Sequence, residues 1–234
     1  MLLYYHHDRS IINNTQDISR VNDVKNTDAN NSEAPVRRRG RPPAFDRAEV
    51  LAKAGETFWR LGYEGASIVD LTAAMGITPQ SLYAAFGSKA DLYRDALGWY
   101  GDAFATLTEE DLAAPDVIGT LCAWLEAQAK GFADPAHPPG CMISTAVLGC
   151  AVENDPVARL VAARREATIA RLRERLERAK ADGELKPTAD PAALARFIGA
   201  IIQGMSVQAR DGASAAELCA LTRLANEELA SQSR

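Results

Sequence analysis

The stretch Ser67-Ile-Val-Asp-Leu-Thr-Ala-Ala-Met-Gly-Ile-Thr-Pro-Gln-Ser-Leu-Tyr-Ala-Ala-Phe86 carries two short helix signals separated by one turn. Ser67 followed three positions later by Asp70 is a capping pair, and Gly76 tolerates the left-handed conformation that ends a helix. Thr78-Pro79 opens a second helix, since Thr supplies a capping oxygen and Pro at the first helical position forfeits no hydrogen bond. Leu71, Ala74, Ile77, Leu82 and Phe86 are the expected inward contacts between the two helices. Thr78, Pro79, Gln80, Ser81 and Tyr83 are left facing outward, with Ser67 at the start of the first helix. This is the pattern of a helix-turn-helix, whose second helix enters the major groove of double-stranded DNA. The Gln80 amide matches the edge of adenine, the hydroxyls of Thr78 and Ser81 suit a base or a phosphate, and Tyr83 suits a phosphate. Lys89, just past Gly87, adds a cation near the DNA backbone.

Working outward, the same punctuation recurs along the chain. Asp46/Glu49, Ser88/Asp91 and Ser214/Glu217 repeat the capping pair, while Asp155-Pro156 and Asp190-Pro191 repeat the Pro signal. Gly62, Gly87, Gly183 and Gly212 fall where helices should stop. No segment alternates with a two-residue period, so the expected fold class is all-α. Helices are expected near 46–61, 67–75, 78–85, 88–107, 116–132, 140–153, 156–182, 190–210 and 214–231. In the first, Val50, Ala54, Phe58 and Leu61 make one apolar stripe. Residues 1–36 hold six of the eight Asn and only two Ala, and read as a disordered leader. Residues 37–94 are expected to form an arginine arm and the helix-turn-helix domain, and residues 95–234 a second helical domain.

Charge follows that division. The chain of 234 residues has a formal net charge of -5, which is unpromising for a DNA binder until it is apportioned. Arg37 to Arg94 hold nine Lys/Arg against six Asp/Glu, a local +3, whereas residues 95–234 hold 14 against 20. The run Arg37-Arg38-Arg39-Gly40-Arg41-Pro42-Pro43 resembles the core of minor-groove AT hooks. Arg38, Arg39 and Arg41 on a flexible arm suit a narrow, electronegative minor groove; a solvated basic linker is the plainer reading.

Phe58-Trp59-Arg60-Leu61-Gly62-Tyr63-Glu64-Gly65-Ala66-Ser67, followed by Leu82-Tyr83-Ala84-Ala85-Phe86-Gly87-Ser88-Lys89-Ala90-Asp91-Leu92, resembles the DNA-binding domain of the TetR/AcrR repressor family. The resemblance covers about residues 44 to 94. It implies an N-terminal three-helix DNA-binding domain and a C-terminal helical domain for ligand binding and dimerisation, whose last two helices pair with those of a second copy. It also implies a small-molecule effector that changes the separation of the two reading heads, and so a repressor released from its operator by a ligand or stress signal. Where many members carry an aromatic or His before the Phe, this chain has Ala85.

Ala195/Gly199 and Ala200/Gly204 place small residues four apart, with Phe197, Ile198, Ile201, Ile202, Leu218, Leu221 and Leu224 to fill a seam. The spacing suits a core within one chain as well as a four-helix seam between two, and the resemblance favours the homodimer. Trp124, Gln128, Met142, Thr145 and Gln203 lie on helices that would surround an effector cavity, although such residues are also ordinary core. Cys141 follows Pro138-Pro139-Gly140 and is expected at the first turn of a helix, where backbone N–H groups favour a thiolate. A thiol-reactive or soft-metal-sensing repressor using Cys141 is therefore an alternative, as is a buried structural thiol.

Other classes find little support. The chain has no G-x-x-x-x-G-K-[ST], G-x-S-x-G or H-E-x-x-H, and outside the leader its only His is His137, so an enzyme is not expected. The four cysteines form no C-x-x-C pair; no cofactor and no metal are expected. No apolar run long enough for a bilayer and no secretory signal are read, which points to a cytoplasmic protein without a membrane partner. An architectural binder of A·T-rich DNA, using the arm alone, would have no use for the acidic helical half.

Overall fold

A computed structural model describes residues 45–104 and 107–234. The leader and Arg38, Arg39 and Arg41 lie outside the described residues. Nine α-helices occupy the described part: α1 Arg47–Gly65, α2 Ile68–Met75, α3 Pro79–Phe86, α4 Lys89–Phe104, α5 Glu109–Ala113, α6 Val117–Phe132, α7 Asp155–Ala181, α8 Pro191–Arg210 and α9 Ala215–Ser231. The fold is all-α; one isolated bridge joins Leu185 and Ser233.

The caps act at the atoms the sequence suggests. Asp46 accepts from the N–H of Ala48 at 2.8 Å, and Ser67 and Ser214 each close a reciprocal box with Asp70 and Glu217. Those serines hold the Asp70 and Glu217 carboxyls below the usual carboxylate range. Thr108 and Asp111 form a further box that starts α5, an unexpected helix. Asp155 departs from expectation: it is the first residue of α7, not its cap, and its carboxylate pairs with Arg159 one turn on.

Two expectations are corrected by the packing. Gly62, at φ +74°, kinks α1 without ending it, so Leu61 turns outward and Trp59 and Tyr63 go in. Ala74 is exposed, and Met75 takes its place under the helix-turn-helix. α4 runs on through Arg94 to link the two parts of the chain, and one continuous core runs from Val50 to Leu229. Gly55 on α1 admits the Trp99 indole of α4, which would lie 2.3 Å from any added Cβ.

The largest departure lies between α6 and α7. The helix expected over 140–153 is a series of turns ending in a short 3-10 turn, Val152–Asn154. Side chains take the carbonyls a helix would use: Thr145 Oγ1 donates to the Cys141 carbonyl at 3.2 Å, and Arg165 donates to those of Ile143 and Ala146 at 3.2 and 3.0 Å. Val147 sits at φ +48°, a left-handed conformation disfavoured for a β-branched residue. Ser144, Thr145 and Gly149, all weak helix formers, are the signal in the sequence.

α8 is long and apolar enough to cross a bilayer, the one such helix among the described residues. It packs against α7, α6 and α9, and Arg196 in its second turn makes a bidentate pair with Glu166 at 2.8 and 2.9 Å.

Candidate functional site

α2 and α3 are joined by a turn in which Gly76 adopts φ +69° and the Ile77 N–H returns to the Thr72 carbonyl at 3.2 Å. Leu71 and Leu82 are wholly buried beneath it and Phe86 nearly so. Thr78, Pro79, Gln80 and Tyr83 therefore stand exposed along one face of α3, Tyr83 with 48% of its surface free. The Thr78 hydroxyl caps α3 by accepting from the Ser81 N–H at 3.2 Å, and the two hydroxyls lie 3.0 Å apart. Ser67 likewise spends its hydroxyl on Asp70 at 2.6 Å, which leaves its exposed position but little free donor capacity. Val69, at the start of α2, is an apolar side chain left 74% exposed.

Lys89 is half-buried, with Nζ 4.6 Å from the centre of the Tyr63 ring. Burial lowers its pKa while the nearby Glu64 charge pulls the other way. It thus ties α4 to the kinked end of α1.

In the helical half, Trp124, Gln128, Cys141 and Gln203 line a cavity of about 60 Å³, together with Arg165 and Ile202. Met142 is buried and Thr145 half-buried, and neither lines that cavity. The Cys141 sulfur accepts from the N–H groups of Ile143 and Ser144 at 3.4 Å each, so the donors expected of a helix start are supplied by a turn. Tyr100 packs beside it; burial, reinforced by the neighbouring thiol, pushes the phenol pKa up. Among the described residues no three His, Cys, Asp or Glu side chains converge on a metal-sized site.

The residues expected at a dimer seam divide three ways. Ile198 and Leu218 are wholly buried in the chain's own core, and Ile202 faces the inner cavity. Ala195 and Gly199 pack inward too, Gly199 with Ile169 of α7 at 3.2 Å from an added Cβ. A period of 3.6 puts several faces of α8 to work: Ala195 and Gly199 mark close approach within the chain, whereas Ala200 is exposed and nothing stands within 4 Å of a Cβ added at Gly204. Phe197, Ile201, Leu221 and Leu224 remain on the outside, lining an open apolar groove of about 750 Å³ between α8 and α9.

Contacts between the two halves were not legible beforehand. Trp59 of α1 donates from Nε1 to the Gly140 carbonyl at 3.2 Å, and its ring stacks on His137 at 4.6 Å. Arg210, at the end of α8, donates to the carbonyls of Trp59 and Arg60 at 3.1 and 3.2 Å, answering acceptors freed by the Gly62 kink. Next to Gly140, the Cys141 N–H donates to Ser206 Oγ at 2.7 Å. Glu64 accepts from the Ala151 N–H and the Asn154 amide. The turn that borders the cavity is thus bonded directly to the helix that carries the reading head.

An exposed recognition helix on a capped helix-turn-helix, backed by a helical half with its own cavity, defines a DNA-binding transcriptional regulator. Residues 50–96 match the family model described as bacterial regulatory proteins, tetR family, and residues 118–223 the model described as tetracyclin repressor-like, C-terminal domain. The HTH-type transcriptional repressor ComR of Escherichia coli (strain K12) is 36% identical over 182 residues, covering 77% of this chain and 87% of that protein. The HTH-type transcriptional repressor BdcR of the same organism is 29% identical over 195 residues, 81% of this chain and 92% of its own length. A cysteine-substituted form of the TetR family transcriptional regulator CifR, complexed with 26-bp double-strand operator DNA, is similar at 38% identity and a TM-score of 0.76. That similarity covers 80% of this chain and 98% of CifR. The chain belongs to the TetR family of transcriptional regulators.

Proposed function

We propose that the protein is a repressor that binds an inverted-repeat operator as a homodimer and leaves it when a small molecule occupies the cavity behind Gly140. The observation that carries this reading is the direct bond between the cavity turn and the α1 helix of the reading head, Trp59 Nε1 to the Gly140 carbonyl. A ligand that favours a different position of that turn shifts α1, and with it the spacing of two heads that must match successive major grooves. The open α8–α9 groove supports the homodimer, since a two-fold pairing would cover Phe197, Ile201, Leu221 and Leu224 at once. The operator-bound relative supports the DNA partner.

Footprinting with and without variants of the head tests it. Gln80→Ala is expected to relax base preference by about 1–3 kcal/mol, as loss of a base contact does. Tyr83→Phe and Lys89→Ala are expected to weaken all sequences alike, and Lys89→Ala, which alone removes a charge, to lower the salt slope by about 1. Equal loss on operator and random DNA for Gln80→Ala would remove it from base reading. Removing residues 1–36 should leave operator affinity largely intact, and removing the chain through Pro43 should lower it, because Arg38, Arg39 and Arg41 then go too.

A second reading is supported by the place of Cys141 on the cavity wall with two N–H groups directed at its sulfur. In it the thiol itself takes the signal, and modification adds bulk where the turn meets Ser206. Cys141→Ser separates the two: release by every active compound persists under the first reading and is lost for electrophiles under the second.

A further inference from the structure

We infer that the cavity takes a small carboxylate, with one oxygen on Trp124 Nε1 and its charge answered by Arg165. The inference rests on the effector reading above and names the chemistry of that site.

Two independent features point to an anion. Trp124 lines the cavity with only 8% of its surface exposed, and its Nε1 is fully buried without a hydrogen-bond partner among the described residues. Indole N–H groups are donors only, and a buried donor without an acceptor is destabilising, so a small turn of the ring that brings this N–H to a ligand oxygen in the cavity is favoured. Arg165 is the second feature. It is half-buried on the same wall, its guanidinium donates only to the neutral carbonyls of Ile143 and Ala146, and no acidic residue of the described chain pairs with it. No Asp or Glu lines the cavity either. Its charge is therefore uncompensated in a space of lowered dielectric, where an anion gains most.

The remaining wall sets the size and the rest of the recognition. About 60 Å³ accommodates a molecule of about four to six heavy atoms. The amides of Gln128 and Gln203 offer donors and acceptors to a second polar group, and Ile169 and Leu172 cover a short apolar portion. A ligand bridging Trp124 on α6 and Arg165 on α7 also competes for the guanidinium that now holds the carbonyls of the 141–149 turn. Occupancy would loosen that turn from α7, which connects the bound anion to the Gly140 contact with the head.

The test uses the full-length dimer at fixed ionic strength, because operator binding responds to salt itself. Sodium acetate, pyruvate and lactate are compared with acetamide and acetone by thermal shift, tryptophan emission and operator release. The expected result is that the carboxylates raise the melting temperature and free the operator while the neutral compounds do neither. Trp124→Phe, which removes the N–H and no existing bond, is expected to weaken the carboxylates about ten- to hundred-fold. Neutral compounds that bind as well as the carboxylates, or Trp124→Phe with unchanged affinity, overturn the proposal. Should that variant misfold, the comparison of carboxylate with amide on the unaltered chain still decides. A set of apolar and cationic compounds runs alongside: release by one of them and not by any carboxylate overturns the anion but keeps the effector reading, whereas release by none overturns both.

Discussion

Leu224→Glu is expected to yield a folded monomer whose operator affinity is about a thousand-fold or more below that of the parent. Leu224 is 65% exposed and takes no part in the chain's own core, so its loss leaves α9 intact. In a two-fold pairing the substitution appears twice in one apolar seam, beside Phe197 and Ile201. Burying an unpaired carboxylate there costs several kcal/mol per copy, enough to dissolve an interface of ordinary size. A lone head then keeps mainly the phosphate contacts. Specific dimers bind in the range of about 10⁻⁸ to 10⁻¹¹ M, whereas such residual binding lies near 10⁻⁴ to 10⁻⁶ M. Light scattering gives the mass, a gel-shift titration the affinity, and circular dichroism the helix content. Leu224→Ala, which shortens the side chain without adding charge, should show a much smaller loss. A dimer that survives Leu224→Glu with full operator affinity would place the pairing surface elsewhere.

The helix-turn-helix was legible in the sequence because its determinants are local. Ser67, Gly76, Thr78 and Pro79 act through neighbours within four residues, and each does in the fold what its chemistry suggests. The same holds for the caps at Asp46, Ser88, Asp190 and Ser214. Legibility failed wherever a partner far along the chain decided the outcome. Residues 141–149 are turned by Arg165, some twenty positions away, which takes two of their carbonyls. Ile198 and Ile202 have the side chains of a seam, yet what they face depends on where α6, α7 and α9 lie around α8. In the stretch Phe58 to Ser67 the likeness to a family was evident while the physical reason for it was not. The fold supplies that reason: Trp59 reaches Gly140, Gly62 kinks α1, the freed carbonyls meet Arg210, and Glu64 holds the segment before α7. Of the candidate cavity residues, four lie on one wall system, and Arg165 was missed because on a helix of alternating Arg and Glu it looks like one more solvated charge.

Gly140→Ala is expected to destabilise the regulatory half by about 2–5 kcal/mol, from a backbone cost and a steric one. Gly140 adopts φ +74°, and holding an L-residue there costs about 1–2 kcal/mol. An added Cβ would lie 2.5 Å from the Ser206 carbonyl oxygen, 2.9 Å from Ser206 Oγ and 3.1 Å from the Arg210 side chain. The nearest of these is backbone inside α8 and cannot swing aside, so the overlap adds about 1–3 kcal/mol of strain. A turn that lifts away from α8 to relieve the overlap exchanges that strain for loss of the Cys141 N–H to Ser206 bond and disturbs the Trp59 Nε1 to Gly140 bond. Each is worth about 1 kcal/mol, more if a buried partner is left unpaired. Against a total stability of about 5–15 kcal/mol this is a large fraction, and for a chain of this size it corresponds to a fall of roughly 4–20 °C in melting temperature. Gly98→Ala is the control: no atom stands within 4 Å of its added Cβ, it lies within α4, and replacing a helical Gly should raise stability by up to about 1 kcal/mol. Thermal melts of both variants at equal protein concentration make the comparison. Because the helices of the reading head keep their own caps, Gly140→Ala should still bind operator below its lowered transition while responding poorly to effector. A melting temperature for Gly140→Ala within a degree or two of the parent would mean that the turn moves freely against α8, and that the contact with Trp59 does not carry the signal.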